Sequence, residues 1–328
     1  MNTKNRSMII VTGAAGFIGS CLVRRLNDDG YEDLILVDDF SDALKERNLE
    51  GKKFLKKISI DDFLPWFKES AEGVSRVFHL GACSNTAEFD ERVFDRLNRN
   101  YSKAIWSICA SHDIPLVYAS SAATYGAGEL GYSDDHARVS KLKPLNPYGR
   151  SKQDFDLWAL AENTAPPRWY GLKFFNVYGP NEYHKGRMAS MVFHGFGQIQ
   201  KNGFVNLFKS HKEGFADGGQ LRDFVYVKDA IDVAVFLAGS KAPSGLYNVG
   251  TGRARSFVDL EMAVFSALGK RPDIRFIDTP LDIRDKYQYF TEAPMEKLAA
   301  AGYSKRFHSL EEGVADYVTA YLVPGKTY

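Results

Sequence analysis

Short apolar runs alternate with amphipathic stretches along the first half of the chain. The apolar runs cover residues 8–11, 34–37, 54–58, 76–82, 116–121 and 169–177. Helical periodicity lies between them, near 17–26, 61–71, 91–111 and 149–163. Nearly continuous apolar strands that alternate with helices predict a parallel sheet covered on both faces. We therefore predict an α/β fold with a Rossmann-type, doubly wound parallel sheet, whose ligands bind at the carboxyl ends of the strands.

The alternation becomes less regular after residue 177. Residues 223–238 and 246–250 again read as strand and helix that return to the sheet. The tail predicts a helix near 256–268, a strand near 274–278 and helices near 294–301 and 309–322. We predict a nucleotide-binding domain of residues 8–177 plus 223–250. A smaller, interleaved C-terminal substrate lobe would then comprise residues 178–222 plus 251–322.

Three glycines, Gly13, Gly16 and Gly19, join the first strand to the first helix. The spacing G-x-x-G-x-x-G is typical of a dinucleotide-binding turn. Gly13 would permit the tight turn, Gly16 would let a pyrophosphate approach the backbone, and Gly19 would let the helix pack on the strand. The start of the helix supplies amide donors and the positive end of the helix dipole. The turn therefore predicts a site for NAD or NADP.

Two acids end the second strand, about 20 residues beyond the glycines. A carboxylate at Asp38 or Asp39 would accept hydrogen bonds from the adenosine ribose and disfavour a 2′-phosphate. Lysines follow closely, Lys45 first, and these cations favour a phosphate. The residues alone leave the choice between the two cofactors open.

Tyr148 and Lys152 are four residues apart on a predicted helix and share one face. A lysine cation beside the phenol is expected to lower the pKa of Tyr148, which could then accept a proton from a sugar hydroxyl. Ser120 and Ser121 end the preceding strand, where the sheet presents its ligands. We expect one serine to cap a turn and the other, Ser121, to bind the substrate oxygen.

Composition excludes several other classes of protein. The 328 residues carry a net charge of +1, which gives no general attraction to nucleic acid or to an anionic membrane. No apolar run has the length of a membrane span, and the polar start is not a secretory signal. The three cysteines are scattered and the seven histidines show no metal-binding spacing. We therefore expect a cytoplasmic protein with no metal, no nucleic-acid partner and no membrane insertion.

Beyond these features the chain resembles the extended short-chain dehydrogenases/reductases, and among them the heptose 6-epimerase family of nucleotide-sugar epimerases. The motifs that carry the resemblance are Gly81-Ala82-Cys83-Ser84, Ser120 to Gly126, Pro144 to Gly149, Phe175 to Pro180, His184-Lys185-Gly186, Met188 to Ser190, Phe208-Lys209-Ser210, Arg222 to Val227, Tyr287-Gln288 and Phe290-Thr291. The His-Lys-Gly, Phe-Lys-Ser and Tyr-Gln-x-Phe-Thr stretches are the narrowest of these, so they carry the closer identification.

The resemblance implies an enzyme that inverts C6 of the heptose in ADP-heptose, for lipopolysaccharide core synthesis, through a transient 6-ketone. It implies two acid/base groups, Tyr148 and Lys185, assisted by Ser121 and Lys152. The implied cofactor contacts are Gly13, Gly16, Phe17, Ile18, Gly19, Asp38, Asp39, Lys45, Leu80, Gly81, Ala82, Cys83, Ser84, Asn100, Tyr148, Lys152, Val177 and Lys185. The implied substrate contacts are Ser121, Asn176, Arg187, His194, Phe208, Lys209, Ser210, Arg222 and Tyr287. Homo-oligomers, pentamers in the family, are implied as well.

The chain departs from the family at three positions. Asp39 stands where the family has Asn, and Ile60 stands where it has a second cofactor lysine. NADP is therefore the expected cofactor with NAD as the alternative. Arg187 replaces a small residue, and His184 is expected to be a partly buried, hydrogen-bonded histidine rather than a catalytic group.

Two alternative functions remain from the sequence. One is another NAD(P)-dependent nucleotide-sugar epimerase, dehydratase or reductase. Dehydratases normally carry an acidic pair after the serine, whereas this chain has Thr124-Tyr125. The other is a cofactor-sensing protein without catalytic activity, which the presence of both Tyr148 and Lys152 disfavours.

Overall fold

A computed structural model describes residues 6–280, 284 and 288–328. Tyr287, an implied substrate contact, lies outside these residues. The strands are β1 Met8–Thr12, β2 Leu34–Asp38, β3 Lys56–Ser59, β4 Val74–His79, β5 Leu116–Ser121, β6 Trp169–Phe174, β7 Asn176–Tyr178, β8 Val205–Phe208, β9 Leu221–Arg222, β10 Phe224–Tyr226, β11 Gly245–Val249, β12 Arg255–Ser256 and β13 Ile274–Ile277.

Most of the longer α-helices follow the predicted periodicity, whereas the helix at Met191–Asn202 was not predicted. They are α1 Phe17–Asp28, α2 Ala43–Glu46, α3 Ile60–Ser70, α4 Glu91–Phe94, α5 Tyr101–Ser111, α6 Pro147–Ala161, α7 Met191–Asn202, α8 Val227–Gly239, α9 Phe257–Ala267, α10 Glu296–Ala300 and α11 Leu310–Asp316. A π-helical segment, Asp95–Asn100, joins α4 to α5.

Seven parallel strands form the central sheet in the order β3-β2-β1-β4-β5-β6-β11. Side chains alternate between its faces, as in any strand. Ile9 and Val11 belong to the core on one face, whereas Ile10 belongs to the core on the other. Helices α1 and α8 contribute to the first core, and α3, α5 and α6 to the second. The predicted doubly wound Rossmann-type fold is confirmed.

Two expectations about strands are wrong. The strand near residue 223 was expected to return to the central sheet, but it is β10, which pairs with β7 outside that sheet. Residues 169–177 were expected to form a single strand, but the chain leaves the central sheet after Phe174. The amide of Phe175 donates to the carbonyl of Val249 at 3.0 Å, and the next three residues pair with β10 instead. The bend carries Asn176 past the carboxyl edge of the sheet. The smaller pairs β9–β12 and β8–β13 lie beyond it in the chain, together with α7, α9 and α11.

The strand order reverses between β1 and β4, which is where doubly wound sheets bind ligands. Gly13 turns the chain there with a φ of +68°, and a Cβ on it would lie 2.7 Å from the Cα of Gly81. A Cβ on Gly19 would lie 1.9 Å from the carbonyl oxygen of Gly13. Glycine is therefore required at both positions, one for the turn and one for the contact between α1 and the turn.

Gly19→Ala should destabilise the protein because its methyl group would collide with rigid backbone rather than with a movable side chain. We expect the free energy of unfolding to fall by at least about 2 kcal/mol, measured by denaturant titration. Gly197→Ala is the matched control, since Gly197 is also helical and a Cβ there meets nothing within 4 Å. It should stabilise α7 by roughly 0.5–1 kcal/mol. Equal effects of the two substitutions would contradict this account of Gly19.

Candidate active site

The start of α1 faces the reversal point of the sheet without a side-chain cap. By contrast, Asn146 caps α6 and Ser190 caps α7, each through a side chain that accepts a backbone N–H. The first amides of a helix need partners, and an anion at this position would supply them. An uncapped helix start above a turn that admits no Cβ fits the pyrophosphate of a dinucleotide. The predicted contacts Gly16, Phe17 and Ile18 lie on this turn and helix start.

Asp38 binds the glycine turn itself. Its buried carboxylate accepts from the amides of Ala15 at 2.9 Å and Gly16 at 3.2 Å, and from the ammonium of Lys45. The two predicted acids therefore have different environments. Asp39 is exposed, and hydrogen bonds from Ser41 lower the pKa of its carboxyl group. Asp39 is thus the acid that remains accessible to a ribose, beside the lysine that could meet a phosphate.

The segment 80–84 forms the opposite rim of the turn, as predicted for Leu80, Gly81, Ala82, Cys83 and Ser84. One residue holds it from behind: the side chain of Asn98 accepts from the Cys83 amide at 2.8 Å and donates to its carbonyl at 3.0 Å. Asn98 is buried, whereas Asn100 is exposed and lines a surface depression with Arg92 and Asp95. The π-helical turn thus directs Asn98 toward the rim and leaves Asn100 at the surface, and a contact between Asn100 and the cofactor stays a prediction.

A buried histidine links this rim to the glycine turn. His79 Nδ1 lies 2.7 Å from Thr12 Oγ1, which in turn accepts from the Gly81 amide at 3.0 Å. His79 Nε2 lies 2.8 Å from Ser102 Oγ, whose hydroxyl donates to the carbonyl of Asn98 at 2.6 Å. The only consistent direction of these bonds places the histidine proton on Nε2. Burial lowers the pKa of His79 to about 3, so the ring is neutral.

Tyr148 and Ser121 meet at the carboxyl end of β5. The Ser121 hydroxyl lies near that of Tyr148 and lowers its pKa, and Ser121 also caps the following turn by accepting from Ala123 N at 3.1 Å. Ser120 points the other way and donates to the buried Asp156 at 2.7 Å. The expected division of labour between the two serines is therefore wrong: Ser121 both caps the turn and contacts the tyrosine.

Lys152 lies one helical turn below Tyr148 and donates to the carbonyl of Ala119 at 2.9 Å. Burial lowers the pKa of its ammonium group to about 8, while the charge of Asp156 opposes that shift. Burial also raises the pKa of Tyr148, and the neighbouring Ser121 hydroxyl only partly offsets that shift. The expected depression of the Tyr148 pKa is thus absent from the protein alone, because desolvation of the phenolate is the largest influence on that pKa.

The turn Tyr183–Met188 carries Lys185 to the glycine turn. Its ammonium group lies 5.5 Å from the centre of the Phe17 ring, and burial lowers its pKa. Thr86 Oγ1 contacts the Met188 sulfur at 3.7 Å, so this turn reaches the rim formed after β4. The structure therefore brings Lys185 to the predicted cofactor cleft.

The base of the Lys185 turn is fixed by two amides. Asn48 Nδ2 donates to the carbonyls of Ala15 at 3.0 Å and Asn181 at 3.1 Å, and lies 3.3 Å from His184 Nδ1. Asn181 adopts a φ of +74°. Burial and nearby lysines lower the pKa of His184 to about 4. The expectation of a partly buried, hydrogen-bonded His184 is confirmed.

Asn176 and Arg222 lie together beyond the edge of the sheet. Asn176 is the first residue of β7 and its side chain is exposed, while its backbone N–H donates to the carbonyl of Asp223 at 3.1 Å. The buried guanidinium of Arg222 donates to the carbonyl of Gln288, whose side chain donates to the carbonyl of Gly126. Gly126 follows the turn that Ser121 caps. These bonds connect Arg222, and Asn176 beside it, with the turn that follows Ser121.

The remaining predicted substrate contacts are less closely connected. Lys209 forms an ion pair with Asp278 at 3.2 Å, next to Phe208 and Ser210. Arg187 is exposed, and His194 is half-buried on α7. Within the described part of the chain, no hydrogen bond, ion pair or ring contact joins either one to Tyr148. The structure neither assembles these residues with the reactive pair nor tests their assignment. Val177, on β7, is half-buried beside Asn176.

Four buried polar residues beside the cleft were missed in the sequence: His79, Asn98, Asp156 and Lys173. Asp156 had a usable signal, since it continues the i, i+4, i+8 face of Tyr148 and Lys152. Asn98 had none, because a π turn changes which residues point inward. Across residues 6–280, 284 and 288–328 no group of three metal-ligating side chains is found. No helix in those ranges has the length and apolar character needed to cross a membrane.

Comparison with known proteins supports the geometry. Residues 9–250 match the model of the NAD dependent epimerase/dehydratase family. An ADP-L-glycero-D-manno-heptose-6-epimerase of Fusobacterium nucleatum is 51% identical over 98% of this chain and 100% of its own length. These figures show a full-length relationship as well as a shared fold.

Two solved structures are similar over nearly the whole chain. One is an ADP-L-glycero-D-manno-heptose-6-epimerase of Helicobacter pylori, with 28% identity, a TM-score of 0.81 and 98% of each chain covered. The other is a UDP-glucose 4-epimerase of Thermus thermophilus in complex with NAD, with 26% identity, a TM-score of 0.74 and 95% and 97% coverage.

His79 should make the protein less stable in acid. The folded state holds this histidine neutral down to about pH 3, whereas the unfolded chain binds a proton below about pH 6.5. The contribution of the neutral His79 ring to the free energy of unfolding is therefore complete above pH 6.5. It is lost as the pH falls toward 3, by as much as roughly 5 kcal/mol.

The measurement is the free energy of unfolding against pH for the parent and for His79→Gln, which keeps an amide between Thr12 and Ser102 without a titrating ring. The difference between the two should vary below pH 6.5 and remain constant above it. A constant difference over the whole range would contradict a neutral buried His79.

Proposed function

The chain belongs to the NAD dependent epimerase/dehydratase family, and from that premise we propose that it is an epimerase that inverts C6 of the heptose in an ADP-linked glycero-manno-heptose. One observation carries the chemistry. Tyr148 lies beside Ser121 at the carboxyl end of β5, with a buried lysine one helical turn below it, and the first helix of the glycine turn begins without a side-chain cap. The names of the full-length relatives support the choice of sugar.

A nicotinamide cofactor fits the cleft between β1 and β4. Gly13, Gly16 and the start of α1 would hold its pyrophosphate, Asp39 and Lys45 its adenosine end, and the rim 80–84 would line its length. Lys152 would donate to the nicotinamide ribose. When bound, the cofactor supplies the chemistry of hydride removal from C6 and hydride return to the other face of the resulting ketone.

Tyr148 and Lys185 are the proposed acid/base pair. Ser121 orients the phenol so that its oxygen can exchange a proton with the C6 hydroxyl. Inversion delivers the hydroxyl to opposite sides of the carbon, so one acid on one side would serve only one epimer well. Burial lowers the pKa of Lys185, which makes its ammonium group a better proton donor and its amine accessible as a base.

Arg222 and Asn176 are proposed to bind the substrate. The planar guanidinium of Arg222 matches a diphosphate oxygen pair, and Asn176 presents an exposed amide between that arginine and the sheet. Phe208, Lys209, Ser210, Arg187, His194 and Tyr287 are proposed contacts on the resemblance alone. The product would supply heptose for a lipopolysaccharide core.

Three finer assignments are part of the proposal. NADP is favoured over NAD because Lys45 stands beside the adenosine end of the cleft. A cytoplasmic location is supported by three scattered cysteines without disulfide spacing. A homo-oligomer is proposed from the resemblance alone. The division into a nucleotide-binding domain and a substrate lobe is proposed from the change in the apolar pattern after residue 177.

Incubation of the purified protein with either C6 epimer of the ADP-heptose, without added cofactor, should yield the other epimer, followed by proton NMR. In deuterated water the C6 hydrogen should remain unlabelled, because the same hydride returns. Labelling at C6 would indicate carbanion chemistry. If the protein converts a different nucleotide sugar but not ADP-heptose, it has another activity of the family and the proposed substrate is wrong.

Tyr148→Phe should lower the epimerisation rate by roughly 10²–10⁴-fold while the cofactor stays bound, because only the proton-transfer group is removed.

Lys185→Met should lower the epimerisation rate by at least about 10²-fold. Tyr31→Phe and Lys53→Met, both on exposed residues, are the matched controls. An unaffected Lys185→Met variant would return Lys185 to the role of a surface charge.

Lys45→Ala should weaken NADP about tenfold or more, because a charge-assisted bond to the 2′-phosphate is lost, and should change NAD affinity by less than about threefold. Isothermal titration of both nucleotides into the cofactor-depleted protein measures this. Equal weakening of the two, or tighter binding of NAD by the parent, would contradict the NADP assignment.

A further inference from the structure

A fully buried ion pair lies behind Tyr148, Ser121 and Lys152. Lys173 on β6 and Asp156 on α6 have no exposed side-chain surface, and Lys173 Nζ lies 2.8 Å from Asp156 Oδ2. Taking two charges out of water costs more than their attraction returns, unless further hydrogen bonds satisfy them. A pair of apolar side chains would fill the same volume. Because the Lys173–Asp156 pair is costly and lies next to Tyr148 and Ser121, we look for a functional role.

Asp156 is saturated with donors from the strand that carries Ser121. Tyr118 donates to Oδ1 at 3.0 Å, and Ser120 donates to Oδ2 at 2.7 Å. Lys173 in turn donates to Thr124 Oγ1 at 2.8 Å, within the turn that Ser121 caps. The carboxylate thus binds residues before Ser121, and its partner binds a residue after it. The backbone of Ser121 is fixed from both sides.

The same carboxylate faces Lys152 along the helix. The two residues are four apart on α6, so their side chains share a face, and Tyr148 lies a further turn away. Lys152 donates a hydrogen bond to the carbonyl of Ala119. The other titratable groups acting on it are His79 on β4 and the thiol of Cys83 after β4. His79 is neutral, so Asp156 is the nearby charge that favours the lysine cation.

We propose that Asp156 is a positioning residue for the epimerisation: its buried carboxylate fixes the end of β5 through Ser120 and keeps Lys152 a cation beneath Tyr148. Lys173 balances that charge in the interior and ties it to the turn after Ser121. The inference rests on the proposed function for the roles of Tyr148 and Lys152, and it extends that function to residues that do not touch the substrate.

The test is Asp156→Asn/Lys173→Met, which removes both charges together and leaves neither one buried alone. Asparagine keeps an oxygen for Ser120 and Tyr118, and methionine fills the lysine volume. Asp156 is among the charges that raise the pKa of both Lys152 and Tyr148, whereas Lys173 is not among the groups that act on either, so the double variant should lower both pKa values. In a plot of epimerisation rate against pH, the rise on the acid side and the fall on the alkaline side should both move to lower pH by about one unit.

Asp316→Asn/Lys228→Met is the matched control. Asp316 also accepts from a tyrosine, Tyr226, and from a lysine, Lys228 at 2.7 Å, so the same two substitutions are made in a similar network. Neither residue is among the charged groups that act on Tyr148 or Lys152. The control should keep the parent pH profile. A profile of the Asp156 double variant that coincides with the parent overturns the proposal.

A readout without substrate separates this inference from the proposed function. The ultraviolet difference between each protein and its Tyr148→Phe derivative follows the ionisation of Tyr148 alone. Its midpoint should fall by about one pH unit in the double variant and stay in place in the control. An unmoved midpoint overturns the inference. A shifted midpoint in a protein that leaves ADP-heptose unchanged supports the inference and refutes the proposed substrate.

Ser120→Ala keeps both charges and tests the positioning half if the double variant does not fold. It should lower kcat by about tenfold at unchanged KM and unchanged pH profile, because Ser121 loses its orientation but Lys152 keeps its field. Parent-like kcat in Ser120→Ala overturns the positioning role of Asp156.

Discussion

The close approach of two backbone turns, one after β1 and one after β4, sets the geometry of the site. Gly13 and Gly81 approach until no Cβ fits on Gly13, and α1 closes on the same turn at Gly19. This contact brings the uncapped start of α1 to the rim 80–84, so one constraint shapes both sides of the cleft. The bonds through Thr12, His79 and Ser102 hold that arrangement from behind. Buried polar groups without partners are costly, so each bond in this chain fixes the next one.

Local pattern predicted the features that depend on chain neighbours. Alternating apolar runs predicted the parallel sheet, and Gly13, Gly16 and Gly19 predicted the tight turn between β1 and α1, because both follow from backbone geometry over a few residues. The position of Lys185 relative to Phe17 needed the resemblance, since no periodicity connects a loop lysine with a helix start more than 160 positions earlier. The structure then supplied the contact of 5.5 Å between them.

The errors share a physical cause: each depends on a departure from regular geometry or on burial that the sequence does not display. A π turn buries Asn98, which sequence reasoning missed, and a bend at Phe175 divides one apolar run into two strands in different sheets. The pKa of Tyr148 was expected from its cationic neighbour, yet desolvation, which requires the whole packed environment, determines the direction. Spacing can show that two side chains share a face, but not how much water reaches them.

The two proposed acid/base groups are held by very different supports. Tyr148 lies on a fifteen-residue helix that packs on the sheet, above a saturated buried ion pair. Lys185 lies on a short turn whose base depends on Asn48 and Asn181, and Tyr183 ties the same turn to the backbone at Tyr321 and Lys326. A ketone that must present both faces needs room to turn between its two proton donors. A rigid group on one side and a tethered turn on the other provide that room without releasing either donor from the cleft, because each is restrained by bonds outside the space where the sugar would move.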